Sequence, residues 1–225
     1  MCGHFALNHI KLVELIERYS ILDVTQGNSE FLQENVKNNY YPSRQDKDSD
    51  IYVILNDPQG RRSIILQRWD LVPRWWKKPL KEKKFSSFNA RKDSLIDKPT
   101  FKHSWNHRQR CIIPATCFFE RPDKNSRSTG ETRKEYRIEI KEERIFSMAG
   151  IWEECALPER EKSLQSCTII TIEANESISR IPHERMPVII KKEEENAWLD
   201  SSVSDKEAYE LLKQLPSETC LVNLA

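Results

Sequence analysis

The sequence predicts an α+β fold, a curved, mostly antiparallel sheet or barrel with peripheral helices. Three observations lead there: strand-length apolar runs crowd the middle of the chain, turn residues punctuate them, and helical spacing is confined to the two ends. Residues 3–7 read as a short strand. Asn8 can cap a helix whose apolar positions Ile10, Leu12, Leu15, Ile16 and Tyr19 recur at helical spacing. Residues 24–50 are polar and end in a charged stretch from 43 to 50. Next, residues 51–55 and 63–67 form a strand pair joined by an Asp-Pro-Gln-Gly turn. Further strands are predicted at 110–113, 116–120, 135–140, 145–152 and 167–173. Residues 122–133 and 158–165 have the polar composition of exposed loops. After an apolar run at 186–190, helices are predicted at 193–199 and 204–214, the second opening on Ser204-Asp205-Lys206-Glu207, a capping-box pattern. No repeat and no Gly/Pro/Ser linker divides the chain, so residues 1–225 read as one domain, with a C-terminal helix and tail at 200–225.

Composition narrows the class without naming a function. A chain of 225 residues can bury a continuous core without disulfides or metals. Lys and Arg total 36 against 35 Asp and Glu, so any nucleic-acid surface must come from the placement of charge and not from its sum. The six cysteines have no dense spacing and no basic-then-apolar segment opens the chain, which predicts free thiols and an intracellular protein. No apolar run approaches the length of a membrane span.

Cys2 is the first residue with chemistry to offer. A small side chain at position 2 normally permits removal of the initiator Met, which leaves a free amine beside a thiol. An α-amino group with a pKa near 7.7 to 8.0 is roughly one third neutral at pH 7.5, against about 0.1% for a lysine. Such an amine attacks an aldehyde first. The resulting imine then lies within reach of its own thiol, and closing a five-membered thiazolidine gains the advantage of a held reactant.

The Met-Cys-Gly-His-Phe-Ala start resembles the Met-Cys-Gly-Arg-Phe-Ala start of the SOS-response-associated peptidase (SRAP) family, and six further blocks follow in the family's order. Asn39-Tyr40-Tyr41-Pro42 resembles its Asn-x-x-Pro segment. Trp69-Asp70-Leu71-Val72-Pro73-Arg74-Trp75 resembles Trp-Gly-Leu-Ile/Val-Pro-x-Trp, and Asn89-Ala90-Arg91 its Asn-Ala-Arg motif. The stretch from Arg110 through Glu120, then Ala149-Gly150-Ile151-Trp152-Glu153 and His183-Glu184-Arg185-Met186-Pro187-Val188-Ile189, complete the series. The matches span residues 1–199.

The resemblance implies an SRAP-like fold in which Cys2 is the nucleophile and Asn89, Glu120 and His183 surround it. It implies capture of abasic sites in single-stranded DNA as a covalent thiazolidine, shielding the lesion in the DNA damage response. Glu120, in an apolar setting beside Phe119, suits proton shuttling at Cys2. His183 suits a general acid at the sugar oxygen, and Asn89 suits a hold on the amine or a sugar hydroxyl. The family's peptidase label implies a hydrolase step that releases Met1 or a short leader, and an AP-lyase-type activity is a related possibility. Implied partners are single-stranded DNA with abasic sites and single-strand/double-strand junctions. The protein is expected to be a monomer without cofactor, metal or membrane, in the nucleus of a eukaryote or the cytoplasm and nucleoid of a bacterium.

Residues 74–84 supply a local DNA-binding signal, because six of these eleven residues are basic and Trp75 and Trp76 are interleaved with Lys77 and Lys78. Lysines neutralise phosphates while an indole stacks on an unpaired base. By resemblance, Trp75 wedges against bases, and Arg91 and Arg185 grip phosphates near the lesion. A rival reading is a non-covalent reader of damaged or modified DNA that uses this loop alone. His103, His107, Cys111 and Cys117 offer zinc-ligand types, but without the tight Cys-x-x-Cys spacing of structural sites. The chain departs from the family at His4, Asp70, Asp93, Cys117 and Arg121. Asp70 is expected to add negative charge beside the phosphate path, and Arg121 to reshape the pocket around Glu120.

Overall fold

The computed structural model describes residues 2–21, 37–44, 49–57, 59–122, 134–181 and 183–225. The first half of the chain runs β1 (Phe5–Ala6), α1 (Leu12–Tyr19), β2 (Asn39–Tyr40), β3 (Asp50–Asn56), β4 (Arg62–Trp69), β5 (Asn89–Arg91), α2 (Pro99–Asn106), β6 (Arg110–Ala115) and β7 (Cys117–Glu120). The second half runs β8 (Tyr136–Ile140), β9 (Phe146–Cys155), β10 (Leu164–Glu173), α3 (Glu176–Ser179), β11 (Arg185–Pro187), β12 (Ile189–Ile190), α4 (Glu195–Leu199), α5 (Asp205–Leu211) and β13 (Cys220–Leu224).

These strands make two sheets, an α+β arrangement as the sequence predicts. The larger follows the order β11-β10-β4-β3-β6-β9-β12, and the smaller β13-β8-β7-β1-β2. Pairing is mostly antiparallel. The exception is β10, which runs parallel to β4 through Ser166 and Cys167 and parallel to β5 through Ile169, Ile170 and Thr171. On its other side β10 pairs first with β9 and then with β11. This change of partners brings the short strands that carry Asn89 and Arg185 to one end of the sheet.

The β3–β4 hairpin forms where predicted because its turn is chemically specified. Asp57 Oδ1 accepts the Gln59 and Arg61 amides at 2.9 Å each, and Gly60 takes the positive φ of +76° that the turn needs. In the Ala149-Gly150 block, Gly150 lies opposite Cys111 between two strands. A Cβ there would collide with the Ile113 side chain, Cys111 Sγ and the Thr168 carbonyl, so this glycine is a packing requirement.

Several elements differ from expectation, among them β5 and α3, which the sequence reading did not predict. Helix α1 starts at Leu12 and not after Asn8, whose backbone N–H donates to Thr116 Oγ1 and whose side chain turns to Cys117 Sγ, and His9 takes a φ of +53°. The cap is instead Lys11, whose N–H is held by Glu14 at 2.8 Å. Helix α2 was hidden by its polar composition. It buries only Phe101, Ser104 and Trp105 and enters through Pro99, whose fixed φ suits a first helical position. The tail forms β13, paired with β8 over five residues, and its pattern is faint because Cys220 alone in it is buried. The expected loop at 158–165 is shortened by β10, which begins at Leu164. The loop expected at 122–133 lies outside the described residues beyond Pro122, and so does most of the polar stretch at 24–50. Helix α5 opens with the capping box read from the sequence, Ser204 and Glu207 each holding the other's backbone.

Helices are attached to the sheets through charge as well as apolar contact. The Glu195 carboxylate, 1% exposed, accepts from Arg18 at 2.7 and 3.3 Å, from Arg62 at 3.2 Å and from Ser147 Oγ at 2.6 Å. It thereby joins α4, α1, β4 and β9. Truncating Glu195 to Ala strands two guanidinium groups, each 15% exposed, and is expected to cost about 3–5 kcal/mol. Glu176→Ala, which breaks a solvent-exposed pair with Arg180, should change stability by no more than about 0.5 kcal/mol. Urea denaturation of both variants checks the contrast, and equal midpoints would remove the structural role assigned to Glu195.

Candidate functional site

The site begins with β1. Phe5, 1% exposed, stacks on Tyr40 at 5.0 Å and meets the edge of Trp69 at 5.1 Å. The antiparallel register Phe5↔Phe118 and Ala6↔Cys117, with Phe119 N–H on His4 O at 2.9 Å, extends to set Gly3 opposite Glu120. Cys2 therefore comes to lie beside the end of β7, fully buried. From β5, Asn89 Nδ2 donates to the Cys2 carbonyl at 2.8 Å. The Asn89 Oδ1 atom is buried and meets no donor among the described residues.

His183 approaches from just before β11. Its Nδ1 lies 3.1 Å from the Arg121 carbonyl, and its Nε2 lies 3.0 Å from Glu120 Oε2, with the two side chains 4% and 3% exposed. A carbonyl can only accept, so Nδ1 carries a hydrogen. Nε2 and Oε2 meet at hydrogen-bond distance, a contact across which a proton can pass. Burial pushes the Cys2 thiol well above its ordinary pKa, and the neighbouring Glu120 carboxylate pushes it further in the same direction. At neutral pH Cys2 is a thiol and not a thiolate. The four residues read from the sequence as catalytic thus converge, with Asn89 on the backbone of Cys2 and Glu120 coupled to both Cys2 and His183.

All six cysteines are free and buried. His103 Nδ1 is 2.7 Å from the buried Glu153, and its ring stacks on His107 at 3.9 Å. Among the described residues, no three His, Cys, Asp or Glu side chains converge as metal ligands, and no helix is long and apolar enough to cross a membrane.

The basic segment at 74–84 divides into two roles. Arg74, Lys77, Lys78, Lys81 and Lys84 are exposed, and Trp75 is 49% exposed with its indole N–H on the Pro99 carbonyl. Trp76 is instead half-buried against the small core of Val72, Leu80, Cys155, Leu157 and Leu164. Lys83 is buried. Its ammonium is 2.7 Å from Asp70 Oδ2 and 2.8 Å from the Phe85 carbonyl, and lies over the Phe85 ring. Burial lowers the Lys83 pKa, opposed by the Asp70 charge. The other Asp70 oxygen accepts from Ser87 N and Oγ at 2.7 and 3.0 Å. The expectation that Asp70 adds negative charge to a phosphate path is corrected, since its carboxylate is buried and matched by Lys83.

Asp93 organises the two arginines. Arg91, exposed, forms a two-pronged pair with it at 3.0 and 3.3 Å, and Arg185 Nη2 reaches it at 3.3 Å. Arg185 is 8% exposed and also donates to the Thr171 carbonyl at 2.7 Å. Arg121 turns its side chain outward to Glu135 at 3.2 Å while its carbonyl holds His183. A cleft of about 520 Å³ joins the N-terminus to the basic segment, lined by Gly3, Tyr41, Arg44, Lys84, Phe85 and Phe88 among others. The sequence reading gave Tyr41 no role, although it stands inside one of the quoted blocks.

The Asp70–Lys83 pair sets the shape of that cleft. Asp70→Asn is expected to lose about 3–5 kcal/mol by leaving the buried ammonium unmatched, and adding Lys83→Met should recover most of it. A double-mutant cycle by thermal or urea unfolding measures the coupling, and purely additive losses would contradict the pairing.

A buried thiol at position 2, held through its backbone by an amide and set beside a carboxylate–imidazole pair, is a cysteine-centred arrangement on an α+β scaffold. The model of the SOS response associated peptidase (SRAP) family matches residues 1–223, and the chain belongs to that family. It is 35% identical over 217 residues to the abasic site processing protein YoqW of Bacillus subtilis, covering 95% of this chain and 87% of that protein. It is 30% identical over 251 residues to the abasic site processing protein HMCES of Rattus norvegicus, covering 97% and 70%. A crystal structure of a Bacteroides thetaiotaomicron protein superposes with a TM-score of 0.83 at 26% identity, over 99% of this chain and 91% of that one. A Bordetella bronchiseptica protein gives 0.79 at 21% identity over 100% and 99%, a likeness of fold.

Proposed function

We propose that this chain, as a one-domain monomer freed of Met1, captures the aldehyde of abasic sites in single-stranded DNA through Cys2. The observation that carries the reading is the convergence of Cys2, Asn89, Glu120 and His183 at the end of β1 and β7. The names of the relatives support the substrate.

Release of Met1 is hydrolysis of the Met1–Cys2 bond, with water as co-reactant. The freed amine attacks C1′ of the ring-opened sugar, and the carbinolamine loses its hydroxyl as water to give an imine. Cys2 Sγ then adds to the imine carbon, its proton ends on the nitrogen, and the thiazolidine closes. Aldehyde plus aminothiol thus gives ring plus water. Asn89 Oδ1 is suited to accept from the amine while Nδ2 keeps the Cys2 carbonyl in place. A proton passed between Glu120 and His183 serves the two steps that need an acid, sugar opening and loss of water, and Glu120 receives the thiol proton on its way to nitrogen. A thiol held protonated by burial is no obstacle here, because the amine reacts first. The same imine is the entry to AP-lyase chemistry, in which loss of a C2′ proton expels the 3′ phosphate. Ring closure by Sγ removes that route.

For the strand, Trp75 offers a stacking face, with Trp76 behind it as support. Lys77 and Lys78 neutralise phosphates, and Arg91 and Arg185 meet phosphates nearer the lesion by exchanging Asp93 for them. Such a surface suits single strands and junctions, and on this reading the protein works where DNA is, in the nucleus of a eukaryote or the cytoplasm and nucleoid of a bacterium.

The test pairs intact mass with a denaturing gel. Protein shown to begin at Cys2 should form a gel-shifted species with single-stranded DNA holding one abasic site, and Cys2→Ser should form none. Glu120→Gln and His183→Ala should slow its formation by about 10² or more. Absence of the shifted species from the wild-type protein would falsify the covalent reading in favour of a non-covalent reader.

A further inference from the structure

Beside Cys2 lies a second feature, a column of three stacked rings that ends in an exposed tyrosine. The His4 ring lies 3.9 Å from Phe119 at 13° and 4.4 Å from Tyr41 at 22°. Its edges are fixed as well as its faces, with Nδ1 3.3 Å from Glu135 Oε1 and Nε2 3.0 Å from Asn39 Oδ1. Phe119 belongs to β7, so the column is seated on the strand that carries Glu120. Its outer end is Tyr41, which stacks one face on His4 and is 54% exposed.

Tyr41 lines the same cleft as Gly3, the residue after Cys2, and this cleft also presents Arg44 and Lys84. We propose that the outer face of Tyr41 is a subsite for one nucleobase, the unpaired neighbour of the captured lesion, with purines preferred. The inference rests on the function proposed above and adds a base contact to it. An abasic nucleotide deprives its neighbour of a stacking partner on one side, and an aromatic ring already held in place replaces that partner without ordering cost at binding. A purine overlaps a tyrosine ring more fully than a pyrimidine does. Arg44 and Lys84 carry charge suited to the phosphates of the same strand.

The experiment uses Cys2→Ser protein and single-stranded DNA containing a tetrahydrofuran abasic analogue, which has no aldehyde. The fluorescent base 2-aminopurine is placed on the 5′ side of the analogue in one oligonucleotide and on the 3′ side in another. Binding should quench the fluorescence on one side. Tyr41→Ala should abolish that quenching and weaken binding about fivefold or more, and Tyr41→Trp should restore both. Replacing the purine on the quenched side with a pyrimidine should weaken binding to Cys2→Ser but leave the Tyr41→Ala affinity unchanged. No quenching on either side, or quenching that survives Tyr41→Ala, overturns the subsite. Because the analogue cannot react, failure of the wild-type protein to crosslink to a true abasic site is a separate result, and it counts against the covalent chemistry alone.

Discussion

The first residues of a chain ordinarily fray, since nothing ahead of them adds packing or hydrogen bonds. Here residues 2–7 are held in place, with Cys2, Phe5, Ala6 and Leu7 buried. Strand β1 is only two residues long, yet it lies between β7 and β2, is paired on both sides, and sends Phe5 into the core against Tyr40 and Trp69. Its bonds continue past the strand, with Thr116 N–H on the Ala6 carbonyl at 2.8 Å and Leu7 N–H on the Asn38 carbonyl at 3.0 Å. This anchoring is the constraint on which the rest depends. It holds Cys2 as firmly as a residue in the middle of a strand, with Asn89 adding a restraint at the Cys2 carbonyl.

An anchored terminus must be matched by proton chemistry suited to a dry site. Burial keeps Cys2 in the thiol form, which would disable an enzyme that needs a thiolate for its first step. In the reaction proposed above an aminothiol has no such need, because its amine would react first and sulfur would enter only at the imine. The Glu120–His183 pair is compatible with that order, its Nδ1 end held on the Arg121 carbonyl and its Nε2 end on Glu120 Oε2.

The strands were legible because the core is made of short apolar runs with chemically specified turns, as at Asp57 and Gly60. The capping box at Ser204 and Glu207 was legible for the same reason, a local hydrogen-bond pattern written in consecutive residues. Elements stabilised from a distance were not. Asn8, expected to cap α1, is instead held by Thr116 and Cys117, 108 and 109 positions away, and β13 is an edge strand whose single buried side chain leaves no periodic signal. The site is distributed in the same way. Cys2, Asn89, Glu120 and His183 have no mutual spacing that local chemistry dictates, and only the ordered family blocks brought them together in the sequence reading. Within those blocks, several motif residues prove to serve packing, such as Gly150 against Cys111, and Trp69, whose indole N–H is held by the Phe88 carbonyl.

Two departures from the family pattern share a neighbourhood. The pattern that this chain resembles has Arg at position 4 and Trp at position 121, where this chain has His4 and Arg121. Glu135 Oε1 lies 3.3 Å from His4 Nδ1 and 3.2 Å from Arg121, tying both into one unit beside Glu120. Asp70 behaves similarly, for its charge is matched by Lys83 inside the protein and leaves Lys77, Lys78, Lys81 and Lys84 exposed around it. At positions 4, 70 and 121 the charged or aromatic group is thus accommodated by a partner in the same neighbourhood. The flat ring at position 4 extends the Phe119 stack to Tyr41, so the cleft that Tyr41 lines has an aromatic residue beside its cations Arg44 and Lys84.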